Sequence, residues 1–69
     1  AAFGHVPEAI AAFSEAVGRD PKSAPIRLNF AVALAAGGRP DLGRRQAEEA
    51  QKLDPGYARA KQFLASLRK

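Results

Sequence analysis

Apolar residues recur along this chain at three- and four-residue steps, the spacing of one face of an α-helix. The first such stripe is Ala9, Ile10, Phe13, Ala16 and Val17. Pro7 suits the first turn of that helix, where a missing N–H costs little. Gly18 weakens the other end and Asp20-Pro21 stops it. Ser23 then predicts an N-cap for a second helix with Pro25 in its first turn. This helix runs to about Ala36 and ends at Gly37-Gly38, a pair suited to a left-handed cap. Ile26, Leu28, Phe30, Ala31, Val32, Leu34 and Ala35 leave it apolar on almost every side, as expected of an element sandwiched between neighbours. A third helix begins near Asp41, with Leu42, Ala47, Ala50 and Leu53 inward and Arg44, Arg45, Glu48, Glu49 and Lys52 largely outward. Asp54-Pro55-Gly56 breaks it, and the stripe of a fourth helix is Ala60, Phe63, Leu64 and Leu67. No segment alternates with period two, so the chain reads as all-α with short links.

The helices are related by a repeat. Asp20-Pro21 recurs as Asp54-Pro55, an offset of 34 residues. The same offset, without gaps, aligns Gly4 with Gly38, Glu15-Ala16 with Glu49-Ala50, Ala24 with Ala58, and Phe30-Ala31 with Leu64-Ala65. Helix pairs repeating at this period, with small residues where helices meet and Pro after the second helix, resemble the tetratricopeptide repeat. The first half of the family pattern falls on Arg27, Phe30, Ala31 and Leu34, and the second on Gly43, Ala47, Ala50 and Pro55. Ala9, Phe13, Ala16 and Pro21 match the second half of a preceding repeat; Lys61, Leu64, Ala65 and Arg68 match the first half of a following one. The chain departs from the pattern at Arg27 and Lys61, where the family often has tryptophan, and at Ala47 and Arg68, where aromatics are usual.

The resemblance implies antiparallel helix pairs stacked as a right-handed superhelix, here an α-solenoid fragment of about four helices. It divides the single segment 1–69 into the second half of one repeat (1–23), a complete repeat (24–57) and the first helix of a following repeat or a capping helix (58–69). Ala31 facing Gly43 or Ala47 would let two helices approach closely. Ala1-Ala2-Phe3 resemble the end of an earlier helix capped by Gly4, so one apolar flank is expected to be open. Upstream sequence or another copy of the chain would cover it.

Composition sharpens this picture mainly by exclusion. With 69 residues and no Cys, the chain has neither a disulfide nor a thiolate metal site. Its longest apolar run, Phe30 to Ala36, is far too short to span a membrane. No basic-then-apolar leader opens it, and the missing initiator Met suggests a fragment or a processed chain. A soluble protein of cytoplasm or periplasm fits, and heavy use of Ala, Arg and Gly is compatible with a bacterial, GC-rich source. The net charge of +4 is uneven: residues 1–23 carry three acids and two bases, residues 24–69 nine bases and four acids. That tilt fits a solvated set of helix faces with mixed charges or, more sharply, a basic surface for an acidic partner or a phosphate backbone. For nucleic acid it lacks both the aromatic platforms and a reading helix.

Catalytic chemistry finds no support in the residues. His5 is the only histidine and sits in an inter-helix turn; no second His or Cys accompanies it to hold a metal. Ser14, Ser23 and Ser66 have no base placed beside them, and Glu48 and Glu49 point about 100° apart on a helix. Gly37-Gly38-Arg39-Pro40 lacks the lysine and hydroxyl of a phosphate loop. The expectation is a non-catalytic module with no cofactor and no metal.

What remains is binding. In the family the first helix of each repeat lines a concave groove for extended peptides or partner helices. By register that groove is implied to hold Leu28, Asn29, Val32 and Ala36 from the second helix, and Arg59, Gln62, Phe63 and Ser66 from the fourth. Asn29 stands at a slot where many members hold a ligand backbone or terminal carboxylate. Arg59 stands at one basic slot of the subset that clamps chaperone tails, but Phe63 replaces that clamp's second basic residue. Leu28 and Phe63 suit the core equally, and Asn29 equally suits a bond to a neighbouring turn. Amide and guanidinium donors beside apolar surface suit a peptide with an acidic end. The expected role is a protein–protein scaffold or adaptor, with a docking or regulatory region of a larger enzyme, or of an assembly or secretion factor, as the alternative.

Overall fold

A computed structural model describes residues 6–67, with the backbone alone at Val6. It contains α1 (Val6–Arg19), α2 (Ala24–Ala36), α3 (Pro40–Leu53) and α4 (Ala58–Ser66), joined by short turns with no strand among the described residues. The expected earlier helix end at Ala1–Phe3, its cap at Gly4, the turn residue His5, and Arg68 lie outside the described residues. The 34-residue offset holds in three dimensions. Shifted by it, α1 coincides with α3 end for end, and α2 and α4 start at equivalent alanines, Ala24 and Ala58.

Helix boundaries follow from local chemistry. Ser23 has extended backbone and its Oγ accepts the Ile26 N–H at 3.3 Å, with a proline just inside the helix. The end of α2 is a Schellman turn: the Arg39 N–H donates to the Leu34 carbonyl at 2.8 Å and the Gly38 N–H to that of Ala35 at 3.1 Å. The turn requires a left-handed residue, and Gly38 supplies it at φ 84°. The turn then delivers Pro40 to the first position of α3. On the surfaces of α1 and α3, Glu15–Arg19 (2.7 Å) and Glu49–Lys52 (3.2 Å) are exposed ion pairs, worth a few tenths of a kcal/mol each.

The core sits around α2, which packs against α1, α3 and α4. Its buried members among the described residues are Ala24, Leu28, Ala31, Ala33, Leu34, Ala47, Ala50 and Ala60. All but Leu28 and Leu34 are alanines, so cohesion comes from helices lying close together. The closest approach is between α2 and α3: a Cβ built on Gly43 would stand 2.8 Å from the Ala31 carbonyl oxygen. Of the two partners expected for Ala31, Gly43 therefore makes the close contact.

Two residues expected inward on α3 are open, Leu42 at 37% and Leu53 at 40% exposure. The buried line of α3 is Gly43, Ala47 and Ala50. Leu42 is turned about 100° from Gly43 on the helix, and Leu53 is the last residue of α3. On α1 the expected stripe of Ala9, Ile10, Phe13, Ala16 and Val17 is half-buried throughout.

At Gly18, near the end of α1, an added Cβ meets nothing within 4 Å. Gly18→Ala is therefore expected to stabilise the chain by about 0.5 kcal/mol, because alanine loses less backbone freedom on folding. Thermal melts should show a midpoint higher by a few degrees; a lower midpoint would mean that the end of α1 is more crowded than the structure shows.

Candidate functional site

Because α2 has neighbours on most sides, its few open positions define where a partner could reach it. They are Pro25, Asn29, Val32 and Ala36, spaced four, three and four apart and hence in one line along the helix. Val32, at 47%, is the most open of the exposed large apolar residues. On α4, which touches α2, Arg59, Gln62 and Ser66 form a similar exposed line.

The eight residues singled out from sequence thus separate. Asn29, Val32, Ala36, Arg59, Gln62 and Ser66 are exposed. Leu28 is 2% exposed, the largest fully buried side chain, and belongs to the core cluster. Phe63 is half-buried, packed against that cluster, with its Cζ 3.5 Å from the point where a Cβ on Gly43 would stand. Among the described residues, the side chains of Asn29, Arg59 and Gln62 make no hydrogen bond or ion pair, so their donors face water. The turn contact considered for Asn29 is not formed. The Ser66 hydroxyl is committed to its own helix, donating to the Phe63 carbonyl at 2.6 Å. The α4 sequence holds Arg59 and Lys61 with no acidic residue, which gives this side a positive field.

Arg27 fills the slot where the family often has tryptophan. It is half-buried, and its Nε donates to the Pro21 carbonyl at 2.7 Å while a terminal nitrogen donates to Gln46 Oε1 at 3.0 Å. One side chain thus ties the α1–α2 turn to α3. Sequence reading missed a second feature, a hollow of about 490 Å³ bounded by Pro7, Ile10, Leu34, Gly37, Arg39 and Leu42. It lies where the start of α1, the end of α2 and the start of α3 meet. No sequence signal marks it, because its wall comes from three helices. Among the described residues no group of three or more His, Cys, Asp or Glu is placed to hold a metal ion, and no helix is long and apolar enough to cross a membrane.

A protein-family model described as "Tetratricopeptide repeat" matches residues 1–67. Among curated proteins, the chain is similar to the "TPR repeat-containing thioredoxin TTL4" of Arabidopsis thaliana, 44% identical over 64 residues. That alignment covers 93% of this chain and 9% of the plant protein. Composition had suggested a bacterial source, and this plant relative lends that no support. No solved structure matches the chain. The family match extends over all of the described helices, and the chain belongs to the tetratricopeptide repeat family.

Proposed function

We propose that this chain, by its family a protein–protein interaction module, takes an extended peptide or partner helix across α2 and α4. Residues 24–57 form the complete repeat in this reading, 1–23 the second half of a preceding one, and 58–69 the first helix of the next or a cap. The reading rests on one observation, the single open line on an otherwise packed α2: Pro25, Asn29, Val32 and Ala36. An exposed valine there supplies apolar contact, and the uncommitted Asn29 amide supplies a backbone clamp. Arg59 and Gln62 on the adjoining helix add donors that suit a carboxylate, so an acidic end is the favoured ligand chemistry. Phe63 borders this surface, whereas Leu28 supports it from within.

The test is a titration with short peptides that end in two acidic residues after an aliphatic one, against the same peptides with amides in place of the acids. The acidic peptides should bind, and Asn29→Ala with Arg59→Ala should weaken them. Hydrogen bonds to charged groups are worth roughly 1.5–3 kcal/mol, so each change should cost about tenfold or more in Kd. Unchanged affinity in the double variant would remove both residues from the site.

A second reading is a docking or regulatory segment of a larger enzyme. The plant relative, whose name joins the repeat to thioredoxin, favours it.

A further inference from the structure

The hollow where α1, α2 and α3 meet is bounded by three successive helices, so it lies between repeats and not on an outer flank. Leu34, 5% exposed, is its floor, and Pro7, Ile10 and Leu42 wall it beside Gly37. The 34-residue offset shows that helix packing does not require these apolar walls. The positions equivalent to Pro7 and Ile10 are Asp41 and Arg44, and the position equivalent to Leu42 is Glu8, all of them exposed. Asp41 and Arg44 border a hollow of their own, about 210 Å³, with Pro40 and Leu67. The architecture thus accepts charge at these positions, yet no acid lines the first hollow, and its Leu42 is open to water. One cation borders it: Arg39, whose side chain makes no hydrogen bond or ion pair among the described residues.

We propose that this hollow binds an aliphatic carboxylate of medium chain length, its chain against Ile10, Leu34 and Leu42 and its carboxylate on the Arg39 guanidinium. The volume, about 490 Å³, falls in the range of small-molecule sites, roughly 300–1,000 Å³. The lining side chains carry one polar group in all. A peptide seated there would leave backbone N–H and C=O groups without side-chain partners, whereas a ligand with one charged end and no other polar atom matches the wall. A guanidinium takes a carboxylate through two parallel hydrogen bonds, and the alkyl chain removes the open leucine from water. None of the lining residues belongs to the surface across α2 and α4, so this site is separate from the one proposed above.

The test is a titration of the 69-residue chain with hexanoate, octanoate and decanoate below their micelle concentrations, followed by methyl and amide NMR shifts. The shifts should centre on Ile10, Leu34 and Leu42. Each further methylene buried should tighten binding by up to about fourfold. Octanamide, with a similar chain and no charge, should bind about fivefold more weakly than octanoate, and Arg39→Gln should bring octanoate to that level. Leu42→Glu, which installs the acid that α1 carries at the equivalent position, should abolish binding and leave the helical circular dichroism intact. Asn29→Ala with Arg59→Ala should leave decanoate binding unchanged. An absence of shifts at millimolar decanoate, equal affinity for octanamide, or unaltered binding in Leu42→Glu or in Arg39→Gln would each overturn the proposal. So would loss of decanoate in the Asn29 and Arg59 double variant, or a leucine-ended peptide that binds in the hollow as tightly as decanoate.

Discussion

Gly43→Val is expected to destabilise the chain by ~3 kcal/mol, the upper part of the range for overpacking a tight contact. The first atom added meets backbone, not a flexible side chain. A Cβ at this position would stand 2.8 Å from the Ala31 carbonyl oxygen, 3.4 Å from the Ala35 nitrogen and 3.5 Å from the Phe63 ring. No rotamer relieves such a contact, so α2 and α3 must move apart, and the alanines between them lose their neighbours. Glycine in a helix interior is ordinarily worse than other residues by up to ~1 kcal/mol, and valine would recover part of that, far less than the clash costs. For a domain of this size each kcal/mol moves the midpoint by roughly 4–8 °C, so thermal melts should fall by more than about 10 °C. A melting midpoint at or above that of the unaltered chain would mean that α2 and α3 are not held together at Gly43. The same loss of a glycine at Gly18 is expected to act in the opposite direction, and the contrast isolates helix contact from helix propensity.

Leu28→Ala should be at least as damaging. Truncating a buried leucine costs about 2–5 kcal/mol through lost burial and the cavity left behind. A single core in a chain this short supplies roughly 3–5 kcal/mol in all, so the variant should be largely unfolded at room temperature. Loss of helical circular dichroism and of amide-shift dispersion would record it. The experiment also separates the two roles that the sequence left open for this residue. A leucine used only to contact a ligand would lose binding while the helices stayed intact, and a variant that melts like the unaltered chain would put Leu28 on the surface.

The fold was legible because its signals are local. Ser23, Pro25, the Gly37-Gly38 pair and the two Asp-Pro steps each act on their own few residues, and the observed helices begin and end where these place them. The 34-residue offset then fixed which helices are equivalent. The candidate surface was only partly legible, and α2 explains why. When a helix is apolar on almost every side, periodicity cannot say which apolar residue faces a neighbour. Leu28 and Val32, one turn apart, are a core residue and an open one, and only the placement of α1, α3 and α4 decides between them. Leu42 and Leu53 show the same limit from the other direction, since their hydrophobicity suggested burial that the alanine seam of α3 does not provide. Arg27 was visible as a departure from the family pattern, but its bridge from Pro21 to Gln46 spans elements that no local pattern connects.

The alanine core described above has a thermal consequence. Heat-capacity change on unfolding grows with the apolar surface newly wetted, and a seam of methyl groups wets less than one of leucines and phenylalanines. The stability of this chain should therefore vary gently with temperature. Its unfolding enthalpy should change slowly across the physiological range, and cooling should weaken it less than a bulkier core of equal net stability.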